Sequence, residues 1–141
     1  MTQNILIVGA AAGMGKEVSL AFARKGYNLA LIDMNQKALD YFEIQLKKDH
    51  PLISVATQKL DISHFDDVAP AFDTLQQQLG KIDIMFANAG IGLGTDVGNK
   101  GNFSAGLKTI EVNLLGTIAC IEKATAMFKK QGYGHIVVTS S

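Results

Sequence analysis

The chain has 141 residues, 48% of them apolar and 18% charged, with a formal net charge of zero. That size supports one compact domain that buries roughly two thirds of its unfolded surface. No run of Lys and Arg exceeds two residues, which excludes the electrostatic footprint of a nucleic-acid or anionic-membrane partner.

The first apolar run, Ile5-Leu6-Ile7-Val8, is four residues long and lacks a charged leader. It reads as a strand and not as a signal peptide. No apolar run approaches a membrane span. Directly after it stands Gly9-x-x-x-Gly13-x-Gly15. A strand that breaks at a glycine and re-enters a helix is a phosphate-binding turn. The helix from about Gly13 to Lys25 carries Met14, Val18, Ala21 and Phe22 at helical spacing, and Gly26 closes it. The second strand, Asn28 to Asp33, ends on an acid eighteen residues past Gly15. Such an acid is placed to hold a ribose 2′-OH.

Asn35 is the expected N-cap of a second helix that buries Ala38, Leu39, Phe42 and Leu46, and His50-Pro51 stops it. The third strand is Ile53 to Leu60, followed by Asp61. The third helix carries Val68, Phe72, Leu75 and Leu79. A start at Asp66 or Asp67 leaves Pro70 in the tolerated first turn. The fourth strand, Ile82 to Phe86, runs into Ala87-Asn88-Ala89-Gly90. The stretch Gly92 to Gly106 reads as a mobile loop at the carboxyl edge of a sheet. A long helix over about 107–130 and a fifth strand, His135 to Thr139, follow. Strands alternating with helices argue for an α/β fold, a parallel sheet with helices on both faces.

Gly9, Asp33, Asp61 and Asn88 all fall at the carboxyl ends of strands and outline a crevice about one dinucleotide long. A carboxylate at Asp33 repels a 2′-phosphate. The positions that would supply a compensating cation hold Ala12 and Met34, so NAD(H) is preferred over NADP(H). Lys37 is the one nearby cation that a bent loop could bring to a phosphate. His50, His64 and His135 lie in separate turns with no metal-ligand spacing, and no metal is expected. Cys120 is a lone cysteine, which excludes an intramolecular disulfide and favours a reducing cytoplasm. It lies seven residues after Asn113 on the same helical face, and is expected to point at the sheet. The long helix is apolar all round, which fits burial on two sides.

The chain resembles the first half and more of a short-chain dehydrogenase/reductase. Five motifs carry the resemblance in order: Val8-Gly9-Ala10-Ala11-Ala12-Gly13-Met14-Gly15, Asp61-Ile62, Ala87-Asn88-Ala89-Gly90, Asn113-Leu114-Leu115-Gly116, and Ile136-Val137-Val138-Thr139-Ser140-Ser141. Val8 and Ala87 depart from the family's threonine and asparagine. The resemblance implies a Rossmann-type doubly wound sheet of order 3-2-1-4-5, with the carboxyl-terminal strands missing. The whole of 1–141 would be one dinucleotide-binding domain, incomplete at that end.

It also implies roles. Gly9, Gly13, Met14 and Gly15 would cradle the pyrophosphate, and Asp33 the adenosine ribose. Asp61 and Ile62 would contact the adenine. Asn88, Ala89 and Gly90 would line the nicotinamide side. Asn113 would order a water in a proton relay, and Ser141 would orient the carbonyl of a small-molecule substrate. The family's Tyr-x-x-x-Lys is not found: Tyr27, Tyr41 and Tyr133 are followed four residues on by Leu31, Gln45 and Val137. The expectation is therefore an NAD(P)-dependent alcohol/ketone oxidoreductase whose 141 residues alone are inactive and prone to associate. A homo-oligomer through the helix at 107–130 is a further expectation. The alternatives are a non-catalytic dinucleotide-binding module and a methyltransferase with a similar first turn; the Asn88 and Asn113 motifs argue against the latter.

Overall fold

The computed structural model describes residues 2–93 and 102–140. Ser141 lies outside the described residues, as does most of the glycine-rich loop. Five parallel strands, β1 (Asn4–Val8), β2 (Asn28–Asp33), β3 (Val55–Lys59), β4 (Ile84–Ala87) and β5 (His135–Val138), form one sheet in the order β3-β2-β1-β4-β5. The expected order and helix alternation are therefore present. β3 and β5 are shorter than the sequence reading by one or two residues at their ends, and β4 starts two residues later than expected and runs one further, to Ala87.

Alternation along β1 divides the core. Ile5 and Ile7 face α1 (Gly13–Arg24) and α2 (Gln36–Asp49), and meet Leu29, Leu31, Leu39, Phe42 and Leu46. Leu6 and Val8 face the other side, against Phe72 and Leu75 of α3 (Phe65–Leu79) and Cys120, Ala124 and Phe128 of α5 (Thr117–Gln131). This two-sided burial is what a period of two imposes on a strand covered on both faces. β5 is the exception, with Val137 and Val138 exposed on the sheet's outer edge.

Several local expectations are corrected. The buried stripe of α1 is Gly15, Ser19 and Ala23, while Met14 and Ala21 are exposed and Val18 and Phe22 sit half-buried at its flanks. Small residues on that stripe let the helix lie close to the sheet, and the Ser19 hydroxyl is satisfied by donating to the Gly15 carbonyl. The third helix begins at Phe65, so Pro70 lies in its second turn, not its first. That start places Asp66 and Asp67 at the positive end of the helix dipole, against the loss of one ladder bond at Pro70. α2 is capped as expected, the Ala38 amide donating to Asn35 Oδ1 at 3.1 Å.

The expected single helix over 107–130 is longer and compound. It starts within the predicted loop as α4 (Asn102–Ile110), passes through a π-helical segment (Glu111–Gly116) and continues as α5. Cys120 is fully buried against the sheet, and Ile110, Leu114 and Ile118 form an exposed stripe. No helix among the described residues is long and apolar enough to cross a membrane.

Candidate functional site

The sheet's connectivity reverses between β1 and β4, and ligands of open α/β sheets bind outside the carboxyl ends at such a point. Here that point opens into a cavity of about 450 Å³. Gly9, Gly13, Met14, Asp33, Asp61, Ile62, Asn88, Ala89 and Gly90 all line it. Every residue expected to touch the cofactor is thus at one place, except Gly15.

Gly15 works from behind the wall. A Cβ on it would stand 1.9 Å from the Gly9 carbonyl oxygen and 2.9 Å from Asn88 Nδ2. Gly9 has φ +80°, and a Cβ there would lie 2.7 Å from Ala89 Cα. The turn is therefore packed so tightly between α1 and the start of the β4 loop that side chains are excluded on both sides.

The turn's amides divide into two sets. Gly9 and Ala10 donate to the Ile32 carbonyl at 2.8 and 3.0 Å, and Ala11 donates to Asp33 Oδ2 at 2.9 Å. These bonds tie the turn to the end of β2. The amides of Gly13, Met14 and Gly15 sit in the first turn of α1, before any i→i−4 partner exists. Ala12, at the N-cap, gives no side-chain cap, and no acid stands in the first turn. α2 and α3, by contrast, carry Asn35 and the Asp66–Asp67 pair at their starts. The positive end of α1 is left bare where it faces the cavity.

Asp33 stands across from it. Its Oδ2 accepts from Ala11 and its Oδ1 from the Asn35 amide at 3.0 Å. Each oxygen keeps lone-pair capacity for a further donor. Asp61 closes the far end. Its Oδ1 accepts from the Ser63 amide at 3.0 Å and hydroxyl at 2.7 Å, and Lys108 Nζ lies 3.6 Å from Oδ2. Burial alone would raise this carboxyl; the Ser63 hydrogen bonds, Lys108 and His64 outweigh it and hold Asp61 below the usual carboxylate range.

Asn113 does not line the cavity. It sits in the π segment, and both ends of its amide serve Ile91: Oδ1 accepts from the Ile91 amide and Nδ2 donates to the Ile91 carbonyl, each at 2.8 Å. It also backs Gly90, where a Cβ would lie 3.3 Å from Asn113 Oδ1. The side chain thus fixes the loop after β4. Ile91 and Val112 line the cavity too and escaped sequence reasoning. The only sequence signal for them is adjacency to Gly90 and Asn113.

A family model described as short chain dehydrogenase matches residues 3–141. An uncharacterized oxidoreductase of Mycobacterium tuberculosis is 37% identical over 99% of this chain and 54% of its own length. A probable NADP-dependent mannitol dehydrogenase of Yarrowia lipolytica is 35% identical over 96% of this chain and 48% of its own. Among solved structures, NAD+-bound xylitol dehydrogenase is 25% identical with a TM-score of 0.88, covering 99% of this chain and 53% of that one. The chain spans about half the length of the curated relatives it matches.

Proposed function

The chain belongs to the short-chain dehydrogenase family, and we propose that its cavity binds NAD(H) for hydride exchange with an alcohol or ketone. One observation carries this reading: a bare helix start and a carboxylate with spare acceptor capacity face each other across the cavity at the sheet's switch point. The cradle suits a pyrophosphate, because Gly13 leaves open space at the cavity wall where a side chain would stand, and the first-turn amides there carry no side-chain cap. Gly13 and Met14 would hold the diphosphate with main-chain amides. Asp33 would accept ribose hydroxyls, already oriented by Ala11 and Asn35. Ile62 and Val112 would cover the adenine, with Asp61 at its edge.

Bound nicotinamide supplies the hydride acceptor or donor. The residues around Asn88, Ala89 and Gly90 would shape its side of the cavity, and Asn113 would hold that wall through Ile91. Ser141 would orient the substrate oxygen. No tyrosine of the 141 residues is followed by lysine four positions on, so binding without turnover is expected from these residues alone. Losing a general acid typically costs about 10²–10⁴-fold in rate.

Preference for NAD(H) follows from charge. Asp33 would face a 2′-phosphate with no cation at Ala12 or Met34 to offset it. The relatives divide on this point, one named NADP-dependent and one solved with NAD+. Calorimetric titration decides it: NADH is expected to bind about tenfold or more tightly than NADPH, and Asp33→Ala to erase the difference. No heat with NADH on folded protein would overturn the reading. The exposed stripe of Ile110, Leu114 and Ile118 is the surface we propose for self-association, in the cytoplasm that a lone reduced cysteine favours.

A further inference from the structure

Thr139 follows the last residue of β5 and faces the phosphate turn across β4. Its amide donates to the Ala87 carbonyl at 3.0 Å, continuing the β4–β5 ladder by one rung. Its hydroxyl does something the ladder does not require: it donates to Asn88 Oδ1 at 2.9 Å. The other end of that amide, Asn88 Nδ2, donates to the Gly9 carbonyl at 3.3 Å, while the Asn88 backbone amide donates to the Val8 carbonyl at 3.1 Å. The Gly9 carbonyl is the same atom on which α1 closes through Gly15. Thr139, Asn88 and Gly9 therefore form one unbroken chain of hydrogen bonds from the edge strand to the phosphate turn.

The polarity of that chain has one consistent setting. The Gly9 carbonyl can only accept, so the amide must present Nδ2 to it. Oδ1 then points at β5, where Thr139 is the donor. A flipped amide would set two oxygens against each other at Gly9. The Thr139 hydroxyl favours the productive orientation by satisfying Oδ1. Without it the Asn88 amide loses a partner and is free to turn out toward water.

We propose that Thr139 is a positioning residue for the dinucleotide site, fixing the Asn88 amide and through it the Gly9 carbonyl that sets the phosphate turn. Its effect on affinity rests on the reading of that turn as an NAD(H) site; its effect on Asn88 does not. The contact is at the surface, and water competes for Oδ1. One such hydrogen bond corresponds to a change of roughly three- to tenfold in an equilibrium constant.

The test compares the wild-type 141-residue chain with Thr139→Val and Thr139→Ser, by NADH titration, urea unfolding and the amide resonances of Asn88, Gly9 and Gly15. Valine keeps the shape and removes the donor; serine keeps the donor. Thr139→Val is expected to shift the Asn88 side-chain amide and the Gly9 and Gly15 backbone resonances, and to weaken NADH binding roughly three- to tenfold. Thr139→Ser is expected to restore both. Val137→Ala, which thins the same strand opposite Phe86, is expected to lower stability and leave NADH affinity unchanged. Unshifted Asn88 and Gly9 resonances in Thr139→Val, or a serine variant behaving like valine, would overturn the proposal. If the wild-type chain bound no NADH, the functional reading would fail, while the resonance arm would still decide the role of Thr139.

Discussion

Gly15→Ala sets two effects against each other, and their sizes predict the sign. Gly15 is the third residue of α1, where alanine is worth about 1 kcal/mol more than glycine in an ordinary helix. Against that gain, the added Cβ would stand 1.9 Å from the Gly9 carbonyl oxygen, where ordinary contact begins at 3.4 Å. The helix or the turn must retreat by about 1.5 Å, the difference of those distances. The obstacle is backbone, held by Asn88 and by the Ile32 carbonyl, and cannot rotate away. Overpacking of this kind costs about 3 kcal/mol. The net loss is about 2 kcal/mol, or roughly 6–8 °C in Tm for a domain of this size. Gly13→Ala is the comparator: its φ is +50° but nothing lies within 4 Å of the added atom, so only backbone strain of about 1 kcal/mol applies. Urea midpoints at equal m-values measure both. A Gly15→Ala protein as stable as wild type, or more so, would refute the close approach of α1 to the turn.

Three further outcomes are expected. The Asp61 carboxyl is held low in the folded chain, so its contribution to stability is present above the ordinary carboxylate range and is lost as pH falls through the lowered value; Asp61→Asn should flatten that acid limb of the stability profile, and an unchanged limb would count against it. Burial pushes the Cys120 thiol up from 9.0 to about 12, so a thiol reagent at neutral pH should label it only in denaturant, and labelling of the native protein at the rate of a free thiol would contradict the packing of α5. The stability due to that buried neutral thiol is complete below the unfolded value and falls away as pH rises above it. Lys123→Ala removes the ion pair with the half-exposed Asp73 that joins α5 to α3, and should cost no more than about 1 kcal/mol by urea unfolding.

Much of the site was legible because its parts answer to short-range rules. β1, β2 and the glycine turn are adjacent in sequence, and a carboxylate closing a strand can be recognised without knowing what lies across from it. What escaped notice depends on packing between distant segments. The stripe Gly15, Ser19 and Ala23 looks polar and featureless until the sheet presses on it, whereas the larger Val18 and Phe22 mislead by hydrophobicity alone. Propensity favours a first turn for Pro70; the helix instead starts at Phe65, where burial of Val68, Ala71, Phe72 and Leu75 along one face holds it despite the proline in its second turn. The Asn113–Ile91 pairing spans 22 residues and the Thr139–Asn88 bond 51, and no periodicity reports either.

The π-helical segment has a consequence for angular phase. Val112, Gly116, Cys120, Ala124 and Phe128, all buried, recur every fourth residue. In an α-helix each such step overshoots a full turn by about 40°, so the stripe would wind off the sheet within a few steps. The wider turn at Glu111–Gly116 takes up an extra residue and rewinds the spiral once. That correction lets Asn113 meet Ile91 while Cys120 still meets the core. Excising a single residue there would close the wide turn to an ordinary α turn and leave its flanks nearly in phase. Excising one from the start of α5 would instead rotate everything beyond the cut by about 100°, so the loop anchor and the buried thiol could no longer both find their seats.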